Sequence, residues 1–197
     1  TWLVQEGFMT LKGGAKSTTK KFLMDVDWSK TKAYALGVGS LYVNLQGREG
    51  KGIVKPGAEY DALLKDIHDR MTKVLDPDTG KPAVNAVYAA RDTWKGDRMS
   101  DAQDMQIGMA PGYRVSSATP LGGAPEGLFE DNEKKWSGDH ATTDTSVTEG
   151  VLLSNLKISD ERPAIGDLAP TILTLLGVPV PPLYDGRTLS IAAPQAK

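Results

Sequence analysis

Apolar and polar positions fall in blocks along the chain, and the blocks change period. From Pro56 to Leu75, Tyr60, Leu63, Leu64, Ile67, Met71, Val74 and Leu75 recur at spacings of three and four, which predicts an amphipathic helix with Pro56 in its first turn. Residues 32–45, "KAYALGVGSLYVNL", read as two short strands rich in Tyr, Val and Leu, broken at Gly37 and Gly39. "AVNAVYAA" (83–90) and Met105–Met109 predict two more strands, and "DPDTGKP" (76–82) is a turn. At the start, "TWLVQEGFMTL" predicts a short helix from Trp2 to Gln5 closed by Gly7. Toward the end, "GVLLSN" (150–155) has the pattern of a buried strand. "GDLAPTILTLLG" (166–177) predicts a helix with Asp167 near its N-terminus, Pro170 in the first turn, Gly177 as the stop, and Leu168, Ile172, Leu175 and Leu176 as the buried face. Between residues 116 and 150 the chain is mostly loop and poor in apolar residues, the kind of long irregular segment that is often functional. The alternation of strands and helices predicts an α/β layered architecture in a single domain spanning 1–197.

Composition narrows the chemistry more than the fold. With 197 residues, 40% hydrophobic and 24% charged, the chain is long enough for one sizeable core. A net charge of −2 gives no reason to expect nucleic acid or an anionic membrane as partner. No apolar run approaches the ~20 residues of a membrane span. The absence of cysteine removes disulfides, thiolate metal sites and cysteine nucleophiles, so a transition metal here must be held by His and carboxylates. Two histidines are too few for a His-rich zinc site, which needs about three or four protein ligands. The chain opens directly in an apolar segment, which predicts a natural N-terminus further upstream and leaves the compartment open.

His140 lies in "KKWSGDHATTD" (134–144), among small and polar residues with acids on either side. It is a metal ligand, a general base, or a turn residue that caps through Ser137 or Thr142 or pairs with Asp139 or Asp144. His68, among Asp66, Asp69 and Arg70, reads as a surface residue of the amphipathic helix. "GGAKST" (13–18) lacks the full glycine spacing of a phosphate-binding loop and reads as a solvated loop. Ser116, Ser117 and Thr119 have only His68 or His140 to serve as base. Arg48 in "QGREG" and Arg114 in "GYR" are candidate phosphate binders through paired N–H donors, or structural arginines of their turns. Trp136 reads as packing.

"WSGDH", then "EGVLLSN", then "IGDLAPTILTLLGVPVPPLYDGRTL" together resemble the C-terminal part of the type I phosphodiesterase/nucleotide pyrophosphatase family, in the alkaline phosphatase superfamily. Residues 26–63 and "PGYRVSSATPLGG" (111–123) resemble segments of bacterial members in the same order, so the likeness covers nearly the whole chain. It implies the C-terminal portion of an alkaline-phosphatase-like sandwich with a mainly parallel sheet. It also implies a hydrolase of phosphate esters with two zinc ions and a nucleophilic threonine. Of the family's metal ligands, the late His alone has a counterpart here, His140, followed by Ala141 where the wider superfamily often has Gly. The threonine and the other ligands would lie upstream, in an N-terminal half or on a companion chain, so this chain alone is expected to be inactive. The alternative is a non-catalytic fragment or interaction domain that needs a partner chain.

Overall fold

The link between the first two strands of the main sheet is four residues long. β1 (Ala33–Ala35) and β2 (Ser40–Val43) are joined through Gly37 and Gly39, with φ of 84° and 72°. So short a link returns the chain antiparallel, because a parallel neighbour needs a crossover of about a dozen residues or more. The computed structural model describes residues 1–133, 135 and 142–192. Ahead of the sheet lies α1 (Trp2–Gln5). After it come α2 (Ala58–Met71), β3 (Val84–Ala89), the single turn α3 (Ala90–Thr93) and β4 (Met105–Met109).

β4 inserts between β2 and β3 and pairs antiparallel with both, giving the order β1-β2-β4-β3. This corrects the expected architecture: the fold is α/β, but its sheet is a small antiparallel one and not the mainly parallel sheet of an alkaline-phosphatase-like sandwich. The physical reason lies in the connections. β2 and β3 do run in the same direction, linked by a crossover that contains α2, as the alternating pattern implied. The return strand β4 then occupies the slot between them, so every neighbouring pair is antiparallel.

α2 carries the stripe that its sequence predicts. Leu63, Leu64, Ile67 and Met71 are buried in one cluster with Leu41, Val43, Val87 and Met105 of the sheet, and with Leu3, Phe8, Leu11 and Val26 of the N-terminal segment. Burying a side chain such as Ile67 stabilises by about 1.5–3 kcal/mol. Glu59 and Asp61 stand in the first turn of α2, and His68 and Arg70 in the last, both arranged favourably for the helix dipole. Arg70 pairs with Asp66 (2.9 Å) and Glu6 (2.7 Å) and lies over the Phe8 ring at 4.3 Å, fastening the helix end to the N-terminal segment.

The chain forms two compact units, Thr1–Glu149 and Gly150–Lys197. In the second, a turn of 3₁₀ helix at Ile165–Asp167 opens α4 (Leu168–Leu175), and β5 (Lys157–Ile158) pairs antiparallel with β6 (Ile191–Ala192). Asp167 is its hub. One carboxylate oxygen accepts from the Ala164 N–H (3.0 Å) and the other from the Arg187 N–H (2.9 Å). The Thr171 hydroxyl accepts from the Leu189 N–H at 2.8 Å while donating to the Asp167 carbonyl. Gly186 has no room for a side chain, since a Cβ there would stand 2.1 Å from the Gly166 carbonyl oxygen. The "GDLAPT" and "DGRTL" segments are thus two halves of one staple.

Two expectations fail in this unit. "GVLLSN" is not a strand, and Val151 and Leu153 are exposed. α4 exposes most of the stripe expected to be its buried face: Leu168 is half-buried, but Ile172, Leu175 and Leu176 face outward, as does Ile165 just before the helix, which is 89% exposed. Pro170 and Thr171 are the buried helix positions, because the Asp167 staple draws their side of the helix against the tail.

Candidate functional site

Arg48 sits in the loop that follows β2, and most of its donors are committed. Its Nη1 and Nη2 donate to Asp104 at 3.0 and 2.6 Å, Nη2 also donates to the Val43 carbonyl at 2.8 Å, and Nε donates to Glu49 at 2.7 Å. Asp104 is buried and accepts in addition from the Val43 N–H (2.6 Å) and the Tyr60 hydroxyl (2.7 Å). Burial, reinforced by the Asp104 carboxylate, pushes the Tyr60 phenol well above its usual pKa. For Arg48, burial works against the charge, but the hydrogen bonds and field of Asp104 outweigh it and hold the guanidinium protonated. A phosphate approaching Arg48 therefore competes with Asp104 for its donors.

The segment after His140 is tied down at the far end of the sheet. Thr142 accepts from the Met109 N–H at 2.8 Å, and the Asp144 N–H donates back to the Met109 carbonyl at 3.0 Å, so the end of β4 gains a short parallel partner at Thr143. Asp144 is 1% exposed. Its Oδ1 accepts from the Ser146 N–H (2.7 Å) and the Tyr88 hydroxyl (3.1 Å), an Asx-type cap on the 3₁₀ turn Thr145–Val147. Its Oδ2 is buried with no hydrogen-bond partner among the described residues and is pressed against Gly108, where a Cβ would stand 2.0 Å away. Burial raises the Asp144 pKa, but the bonds from Ser146, Tyr88 and Asn85 win, and the carboxyl is held below its ordinary value.

This anchor also meets the second arginine segment. The Val115 N–H donates to the Thr142 hydroxyl at 3.4 Å, which sets the residue after Arg114 against the residue two positions past His140. Arg114 is half-buried, and its guanidinium has no ion-pair or hydrogen-bond partner among the described residues. His140 itself lies outside the described residues, as do Trp136, Ser137 and Asp139. His68 is where the helical pattern put it, on the exposed side of α2, 3.3 Å from Asp69. "GGAKST" runs from a single 3₁₀ turn into loop. Ser116 hydrogen-bonds Glu130 at 3.2 Å.

Asp104 carries no local signal in the sequence, and Asp144 reads there as a partner for the histidine. The "D-T-S" spacing of an Asx cap was the available signal for Asp144. For Asp104 there was none, since its partners Arg48 and Tyr60 lie 56 and 44 positions away. Among the described residues no group of three or more His, Asp or Glu side chains converges to hold a metal ion. Those residues do not by themselves fit zinc, and no step is assigned to it. No protein-family model, curated protein or solved structure matches this chain.

Proposed function

We propose that this chain is part of a zinc-dependent hydrolase of phosphate esters, of the phosphodiesterase or nucleotide pyrophosphatase kind, with His140 as a metal ligand and Arg114 as a phosphate-binding side chain. One observation carries the reading. Arg114, whose guanidinium is free of partners among the described residues, is fastened through Val115 to Thr142, two positions beyond His140. The chemistry comes from the resemblance of "WSGDH" and "PGYRVSSATPLGG" to family segments; the parallel sandwich is not retained. The nucleophilic threonine and the remaining ligands would come from an N-terminal half or a companion chain. Zinc, if held by His140 together with ligands from that other half, would supply Lewis acidity toward a phosphoryl oxygen. Arg114 offers two parallel N–H donors to the non-bridging oxygens of the ester. Arg48 is the lesser candidate, because Asp104 already holds its fork.

The test uses this chain joined to or assembled with the polypeptide that carries the threonine, assayed on a chromogenic phosphodiester with bound zinc counted by mass spectrometry. His140→Ala is expected to lose zinc from one site and most of the hydrolysis. Arg114→Ala is expected to lower kcat/KM by about 10- to 100-fold, the loss of a charged hydrogen bond of about 1.5–3 kcal/mol. Unchanged zinc content and an unchanged rate in the histidine variant sink the proposal.

A second reading is favoured by the exposed stripe of α4: a non-catalytic unit whose apolar face is covered by another chain. It is preferred if the isolated chain binds a partner polypeptide through that face while the assembly neither holds zinc nor hydrolyses the ester.

A further inference from the structure

We infer that three loops of the first unit form a docking surface for an anionic lipid bilayer, independently of the hydrolase reading. The loops are residues 16–24, 35–39 and 118–124, and backbone hydrogen bonds join them. Thr18 and Ala124 exchange bonds at 2.7 and 3.0 Å, the Phe22 N–H donates to the Leu121 carbonyl at 2.5 Å, and the Gly37 N–H donates to the Pro120 carbonyl at 3.1 Å. At this junction Phe22, Leu36, Val38 and Leu121 are exposed together, and Met24 follows on the same loop. Phe22 is the extreme case, 70% exposed.

Among the described residues Phe22 and Leu23 are also the non-glycine residues with left-handed backbone, at φ of 57° and 56°. Two consecutive side chains in that region cost on the order of 1–3 kcal/mol each. Burial of Leu23 against Gly122 accounts for one of them. Nothing buried accounts for Phe22, whose ring gains no shelter from the conformation that presents it.

Charge selects the partner. Although the chain carries a net −2, residues 7–24 hold Lys12, Lys16, Lys20 and Lys21 and no acid, and the other two loops hold no charge at all. Asp25 offsets Lys20 at 2.8 Å. Lys16 and Lys21 have no ion pair among the described residues. Exposed apolar residues with lysines on the same loop, whose stems can lie along the apolar zone while their ammonium groups reach lipid phosphates, are the signature of interfacial binding. A cluster of lysines is drawn to anionic headgroups over roughly one Debye length. No helix of the described residues is long and apolar enough to cross a membrane, so the contact is with the surface.

The test is flotation of the whole chain with vesicles of phosphatidylcholine, with and without phosphatidylserine. Partition onto the phosphatidylserine vesicles is expected at low salt, falling off at about 1 M salt, where the Debye length is about 3 Å. The double variant Lys16→Glu, Lys21→Glu is expected to bind about tenfold more weakly or worse. Phe22→Gly is expected to weaken binding about tenfold as well, because the ring no longer enters the headgroup layer. Glycine suits the left-handed backbone, so the melting temperature of Phe22→Gly should hold or rise, which separates lost contact from lost fold. No partition, equal partition onto neutral vesicles, or indifference to Phe22→Gly overturns the inference. So does salt-sensitive capture by an acidic polypeptide without vesicle binding, which would assign the surface to a protein instead.

Discussion

α2 and α4 start from the same sequence pattern and end in opposite situations. Both carry apolar residues at helical spacing. In α2 the stripe is buried, with Ile67 fully enclosed by the sheet and the N-terminal segment. In α4 the stripe of Ile172, Leu175 and Leu176 faces out, and the side drawn inward is held by a carboxylate, a hydroxyl and backbone N–H groups. The difference teaches that a hydrophobic stripe predicts a covered face and does not say what covers it. Within unit 1 the chain supplies its own cover. In unit 2 the Asp167 and Thr171 hydrogen bonds, with the burial of Pro170 and Leu189, fix the helix, and its apolar stripe is exposed. A helix so arranged keeps its place through its staple while its apolar residues stay exposed, which is the observation the second reading of the function rests on.

The comparison can be broken most forcefully at the polar hub of unit 1. Asp104→Ala leaves Arg48 half-buried beside β2 and removes the acceptor of Tyr60 and of the Val43 N–H. Breaking such a pair is expected to cost about 3–5 kcal/mol, read as a fall in the denaturation midpoint. Next comes Ile67→Ala, expected to cost about 2–5 kcal/mol because the cluster around α2 collapses only partly onto the cavity. If either variant melts like the wild type, the hub or the α2 core is not what holds the first unit together.

Asp167 sharpens the contrast from the other side. Its carboxyl is held below the ordinary value, chiefly by the N–H bonds from Ala164 and Arg187. A depressed pKa in the folded state means that ionised Asp167 stabilises unit 2 above the unfolded value of about 3.9, and that this contribution is lost as pH falls through the folded value. Asp167→Asn is expected to lower the Tm of the second unit by about 5 °C near neutral pH. The gap between variant and wild type should narrow as pH drops below about 4. A gap that is constant with pH would mean that the carboxylate charge is irrelevant to the staple.

Local pattern made much of the fold legible. The helix at Trp2–Gln5, the strand break at Gly37 and Gly39, the amphipathic α2, β3 and β4 all follow from short-range spacing and turn chemistry. Strand order was not legible, because the insertion of β4 between β2 and β3 depends on pairings such as Ser40 with Gln106, far apart in sequence. The inversion of α4 was hidden for a related reason: the spacing of Leu and Ile says nothing of the Thr171–Leu189 bond that turns the helix over. At the candidate site, sequence offered Arg48 and Arg114 as equals. Structure separates them by what surrounds each, since Asp104 claims one guanidinium and nothing among the described residues claims the other.

The smallest expected effect carries the finest discrimination. Leu176 is 71% exposed at the end of the α4 stripe. In the isolated chain Leu176→Ser therefore removes little buried surface and should change stability by no more than about 0.5 kcal/mol. The same substitution in an assembly that covers α4 loses the transfer of a buried leucine, about 1.5–3 kcal/mol. Measured as a thermal shift on the chain alone and as dissociation of the assembly, the two values should differ by that margin. A large loss in the isolated chain would mean that the stripe is already covered within the protein, and the contrast between α2 and α4 would disappear. A negligible loss in both settings would leave α4 as a solvent-facing helix held by Asp167 alone, and the search for a covering surface would move to Val151 and Leu153, which are likewise exposed.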